Sequence, residues 1–146
     1  MEIQEQISLR FKGVDFPEVI LSSIKPYAEN EENKIIIDIK PKAFIPNDKP
    51  NIFNIVMEID ISAESFFSLK IVGIGHFELS QEDVSAEIRK SFINANSTAI
   101  MFPYVRSFIS TLTSNIGNVT TPIILPTRFF KGDYLEEVQK EEVTSS

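Results

Sequence analysis

The sequence predicts an α+β fold, a four-stranded antiparallel sheet followed by helices packed on one of its faces. Two observations carry this. Apolar residues recur at every second position through the first half of the chain, the period of a strand, and at every third or fourth position in the second half, the period of a helix. A third observation bounds the fold. No internal repeat or low-complexity stretch interrupts the 146 residues, so residues 1–146 are expected to form a single domain, large enough to bury a core without metal or disulfide.

The strands follow in order. Ile7, Leu9 and Phe11 share one face of the first, and the apolar parity then shifts to Val14 and Phe16. Gly13 sits where the parity changes, which predicts a bulge or a break there. "NKIIIDIK" places Ile35, Ile37 and Ile39 on one face of the second strand, and "IFNIVMEIDIS" repeats the pattern with Phe53, Ile55, Met57, Ile59 and Ile61. The fourth, "FFSLKIVGIGHFEL", carries Phe67, Leu69, Ile71, Phe77 and Leu79 on one face, with Gly73 and Gly75 leaving room there for a close approach by a helix. Turn-rich segments separate the strands: "KPYAENEEN", "PKAFIPNDKPN" with its prolines, and the short "SAES" that makes a hairpin of strands three and four. The opposite faces mix Ile36, Ile52, Val56, Val72 and Ile74 with Asp38, Lys40, Glu58, Asp60 and Lys70, so the second face of the sheet reads as partly covered.

The second half is helical. Ser80 followed by Asp83 resembles a capping box ahead of "VSAEIRKSFINA", where Val84, Ile88 and Phe92 keep one stripe. Asn94, Asn96 and Ser97 predict a break, with Asn96 or Ser97 capping the next helix. That helix bears one stripe of Met101, Val105, Phe108 and Leu112 and a neighbouring one of Phe102 and Ile109, while Pro103 marks its start or a kink. Gly117 ends it as a left-handed residue. After "NVTTPIILPTRFFKGD", Asp133 is expected to cap a short helix holding Tyr134, Leu135 and Val138, and the tail frays from about residue 140.

Composition excludes several kinds of chemistry. With no cysteine there is no disulfide, thiolate metal site or cysteine nucleophile. A net charge of -7, with 14 Lys and Arg scattered among 21 Asp and Glu, argues against nucleic acid. The N-terminus lacks a basic stretch leading into an apolar one, and no run is long enough to span a bilayer, so a cytoplasmic protein without membrane insertion is expected. His76 is the only histidine and lies beside Lys70 and Glu78, a solvated strand position rather than a base or ligand. Asp38, Glu58 and Asp60 read as solubilising charges, and "GIG" at Gly73 lacks the third glycine of a dinucleotide loop. The chain is therefore expected not to be an enzyme, and no cofactor or metal is implied. What remains is apolar surface beyond what one sheet and helix layer can bury, which points to oligomer interfaces and a groove for extended peptide.

"MFPYVRSFISTLTSNIGNVTTPIILPTRFF" resembles the SecB protein-export chaperones through Phe102, Pro103, Tyr104 and Arg106, then Pro122, Leu125, Pro126 and Phe129. The resemblance extends more weakly through Phe67 to Leu79 and matches the whole chain in element order. It implies a dimer of dimers whose long helices pack centrally, here through Met101, Phe102, Val105, Phe108, Ile109 and Leu112. It also implies ATP-independent holding of unfolded polypeptide, in export or for a dedicated client as in toxin-antitoxin pairs. The client groove would use Ile123, Leu125, Phe129, Phe130, Leu135 and Val138. The sequence departs from the exporters where Gly13 and Lys70 replace acidic positions that dock the export motor; a lysine repels that motor's lysine-rich tail, so motor docking is not expected. The competing reading is a non-catalytic oligomer of the same fold, without general chaperone activity, that holds one folded partner.

Overall fold

Alternation in the first half of the chain becomes four long strands: β1 (Leu9–Ser23), β2 (Ile35–Pro46), β3 (Ile52–Ala63) and β4 (Phe67–Leu79). The computed structural model describes residues 6–26, 34–46, 48–127 and 136–140. The sheet order is β1-β4-β3-β2 with every neighbouring pair antiparallel, so three hairpin-linked strands are joined by β1, which crosses to lie beside β4. The residues read as one apolar face do form the core. Phe53, Ile55, Met57 and Ile59 on β3, and Phe67, Leu69, Ile71, Phe77 and Leu79 on β4, are all buried.

Gly13 is a bulge, not a break. The register with β4 slips between Phe11 and Gly13, whose φ of 119° suits glycine alone, and the slip carries both Phe11 and Val14 onto the core side. A second slip falls between Asp15 and Glu18, around Pro17, and the strand then continues to Ser23.

Several local expectations are corrected. The proline-rich segment 41–51 is a turn only in its second half, because β2 runs through Pro41, paired with Met57, to Phe44, paired with Asn54. Pairing on the other side of β2 begins at Lys42, so no ladder bond on that edge is owed by Pro41's missing N–H. Ser80 does not cap a helix. It instead ties the start of β1 to the end of β4, accepting from Ser8 N–H and donating its own N–H to Ser8 O, both at 2.9 Å. The cap of α1 (Ala86–Phe92) is Ser85, whose hydroxyl accepts from Ile88 N–H.

Asn94, Asn96 and Ser97 do not break the helix either. A π-helical stretch, Ile93–Ser97, carries α1 into α2 (Thr98–Ser114). Side chains that usually compete with a helix turn back on its carbonyls here: Asn94 Nδ2 donates to Lys90 O and Ser97 Oγ to Ile93 O. Pro103 lies inside α2. Ala99, whose carbonyl would have accepted from that position's missing N–H, is exposed. Gly117, with φ 67°, turns the chain after α2 as read from the sequence.

At Val138, where the terminal helix was expected, the chain is extended; Asp133, Tyr134 and Leu135 lie outside the described residues. Residues Glu136–Lys140 form β5, a parallel strand on the outer edge of β2, in register from Lys42↔Glu136 to Pro46↔Lys140. A helical spacing of Leu135 and Val138 is a weak local preference, and the sheet edge overrides it with a ladder of backbone bonds.

Candidate functional site

The site candidates lie on α2 and the segment that follows it. On one side α2 is fixed to the sheet by aromatic contacts: Phe108 stacks on Phe16 of β1 with centroids 4.0 Å apart, and Tyr104 meets Phe11 at 4.9 Å. Met101 settles where β4 has no side chains. A Cβ on Gly75 would lie 2.8 Å from Met101 Sδ, and one on Gly73 would lie 3.4 Å from Met101 Cε. The close approach read from the two glycines is thus made by a side chain of α2.

Residues 120–125 are strapped to α2 by two hydrogen bonds. Buried Thr113 accepts from Ile123 N–H at 2.8 Å while donating to Ile109 O at 2.7 Å, and Arg106 Nε donates to Leu125 O at 2.9 Å. Between these anchors the side chains alternate. Ile123 and Leu125 are 6% and 1% exposed, whereas Ile124 is 76% exposed. Arg106 of the Phe-Pro-Tyr-x-Arg stretch is therefore the fastener of this segment.

Placement of the sequence-assigned residues is uneven. Met101, Phe102, Val105 and Ile109 are buried in the subunit's own core, with Phe108 and Leu112 partly buried against it. Both apolar stripes of α2 are spent inside the subunit. A neighbouring copy approaching α2 would meet Ala99, Pro103, Tyr104, Ser107, Thr111 and Ser114, an exposed face without charge. Ile123 and Leu125 are likewise buried in the core. Phe129, Phe130 and Leu135 lie outside the described residues, and Val138 is a β5 residue in register with Phe44. Exposed apolar residues that periodicity missed are Tyr104 and Ile124, at 51% and 76% exposure, while Ile36, read on the outer face of its strand, is 55% exposed. The unbroken apolar run "PIILP" held no periodic signal that would single out Ile124.

The outer face of the sheet is polar and internally paired. His76 bridges three strands, with Nε2 2.8 Å from Asp15 Oδ2 and Nδ1 3.1 Å from Asn54 Oδ1. Lys70 lies 3.8 Å from Glu18, so the ammonium has a carboxylate beside it. Glu78 is held below its ordinary pKa, first by the hydrogen bond from Lys12 and then by that ammonium's charge. Among the described residues no group of three or more His, Asp or Glu can hold a metal ion, and no helix is long and apolar enough to cross a membrane.

This arrangement, a four-stranded antiparallel sheet with a long helix laid across one face, is the SecB-like chaperone fold. The chain superposes with a TM-score of 0.66 on the Mycobacterium tuberculosis SecB-like chaperone Rv1957, solved in complex with a ChAD peptide from the HigA1 antitoxin, at 11% identity over 81% of this chain and 88% of that one. A Streptococcus agalactiae protein of unknown function superposes at 0.51, with 8% identity over 84% of this chain and 99% of its own. In sequence, the chain is 31% identical over 150 residues to the uncharacterized protein MJ0357 of Methanocaldococcus jannaschii, covering 97% of this chain and 93% of that protein, and it belongs to the same family. No family model matches it.

Proposed function

We propose that the protein is an ATP-independent binder of non-native polypeptide, a SecB-like holdase. The observation that carries the reading is the fold shared with a chaperone captured holding an antitoxin peptide. Exposed apolar side chains in a chain with no assembled catalytic or metal cluster among its described residues support it. The client surface is assigned to the segment after α2, with Ile124 pointing outward, Phe129 and Phe130 following it, and Ile123 and Leu125 anchoring it from beneath. Binding is passive: apolar client segments lose water-exposed area at about 25 cal/mol per Å², and the net negative charge favours clients that carry basic residues. The working form is a homo-oligomer, a dimer or tetramer, assembled through the uncharged outward face of α2.

A chemically unfolded, aggregation-prone protein followed by light scattering tests this. Suppression at near-stoichiometric ratio is the expected result, weakened by Ile124→Ser combined with Phe129→Ser and Phe130→Ser. No suppression by an intact oligomer would leave the second reading, a scaffold for one dedicated partner. The inward burial of Ile123 and Leu125 favours that second reading, because it leaves less loose apolar area for general clients.

A further inference from the structure

The edge of β2 carries information that the holdase reading does not use. β5 is an unusual closing strand. It is short, parallel, and polar in sequence, "EEVQK", made largely of residues depleted in strands. Its register sets Glu137 opposite Ala43 and Gln139 opposite Ile45. Those two β2 residues are 0% and 5% exposed, their side chains part of the core. By backbone register, two residues of polar type thus fall on the sheet face whose β2 members belong to the core, positions that a segment apolar at alternate residues suits better. β5 pairs with the second half of β2 alone, from Lys42 to Pro46. Upstream, the edge of Ile35–Lys40 has no paired strand among the described residues, and Ile36 there is 55% exposed.

We propose that β5 is a placeholder: residues Glu136–Lys140 occupy a strand-accepting edge of β2 that an extended polypeptide segment, apolar at alternate positions and polar between them, takes by displacing them. This rests on the polypeptide-binding reading and names the edge at which the client backbone pairs. The incoming strand starts on the free edge at Ile35–Lys40 and continues across Lys42–Ile45 as β5 leaves. Because residues 128–135 tether β5 to the segment after α2, its return is intramolecular and fast to compete, with an effective concentration on the order of millimolar. The placeholder keeps apolar edge positions from pairing with the wrong chain when no client is present.

The test is fluorescence polarisation with a short labelled peptide alternating Leu or Val with Lys, against three proteins. They are the full chain, a chain ending at residue 135, and a full chain with Lys42→Cys and Glu136→Cys oxidised to a disulfide. The register pairs those two positions and the sequence holds no other cysteine. A strand that holds its edge nine-tenths of the time weakens an apparent Kd about tenfold, so the shortened chain is expected to bind about tenfold tighter or more. The locked chain loses binding and regains it on reduction. Should the shortened chain fold poorly, Glu137→Pro with Gln139→Pro in the full chain removes the same ladder donors and is expected to tighten binding alike. Equal affinity for all three proteins, or weaker binding without β5, overturns the placeholder. Light scattering with the same set separates the two readings: suppression that is indifferent to lock and truncation refutes the edge alone, and suppression by none refutes the holdase reading beneath it.

Discussion

Thr113 is the residue on which the segment after α2 depends, and Thr113→Val isolates its hydroxyl at nearly constant shape. The residue is 1% exposed, and its hydroxyl donates to Ile109 O, with a longer shared contact to Ser110 O at 3.4 Å, and accepts from Ile123 N–H. Its donation to Ile109 O is dispensable, since that carbonyl keeps its helical N–H partner. Its acceptance from Ile123 N–H is not, because the donor would be left buried and unpaired, at a cost of about 1–3 kcal/mol. Burying a methyl in place of the hydroxyl returns about 0.8 kcal/mol. The net loss is about 0.2–2 kcal/mol, at the upper end roughly 4–8 °C in thermal midpoint for a chain of this size. Urea titration measures the first figure and amide exchange at Ile123 identifies its cause. Thr113→Ser keeps the acceptor and should keep the Ile123 amide protected even though it loses a methyl contact. If Ile123 exchanges as slowly in the valine variant as in the wild type, the tether is not what holds the segment.

Other perturbations follow from contacts already described. Gly75→Val pushes methyls into Met101 and Phe77, which a Cβ alone would approach to 2.8 and 3.0 Å, so the urea midpoint should fall with a loss of about 1–3 kcal/mol; an unchanged midpoint would mean that α2 stands off the sheet. Ser65 holds φ 73° in the β3–β4 turn, and Ser65→Gly should raise stability by up to about 1 kcal/mol in thermal melts, a fall counting against the strain. For Glu78 the sign is fixed by its lowered pKa: its contribution is fully present above the ordinary value of 4.5 and is lost as the pH falls from there through the folded value. Lys12→Met should flatten that part of the acid titration, and an unaltered curve would dismiss the pair.

The sheet was legible because alternation is strict where one face is buried, and Gly13 was legible because a parity change demands an extra residue. The helical half was harder for reasons of context. Asn94, Asn96 and Ser97 look like breakers by propensity, but a widened turn lets Ser97 and Asn94 bond to carbonyls of their own helix. The two stripes of α2 looked like one too many for a single core. The sheet face beneath is wide enough to bury Met101, Phe102, Val105 and Ile109 together, with two glycines of β4 receding to admit Met101. For β5 the local sequence favours a helix, and only the edge of β2, set by residues some ninety positions earlier, makes it a strand. The placement of the client surface depended on the family resemblance, and burial has since divided it: Ile124 faces out where Ile123 and Leu125 face in.

That division constrains how such a protein holds a client. Among the described residues the exposed apolar side chains are spread over several elements. Tyr104 and Ile124 belong to the helical layer, Ile36 to the upstream end of β2, and Ile20 and Ile24 to β1 and its end. Scattered single residues of this kind are ordinary on soluble proteins and bury too little to retain an unfolded segment alone. A client must then draw the remainder of its binding from groups that every polypeptide has, its backbone N–H and C=O, and these are offered in a row only along a strand edge. Pairing at an edge is indifferent to side-chain identity, which suits a holder of varied sequences, and alternate side chains then choose among them. An edge able to do this would also pair with stray chains. A weak strand of its own, held close by a short tether and easily displaced, answers both requirements.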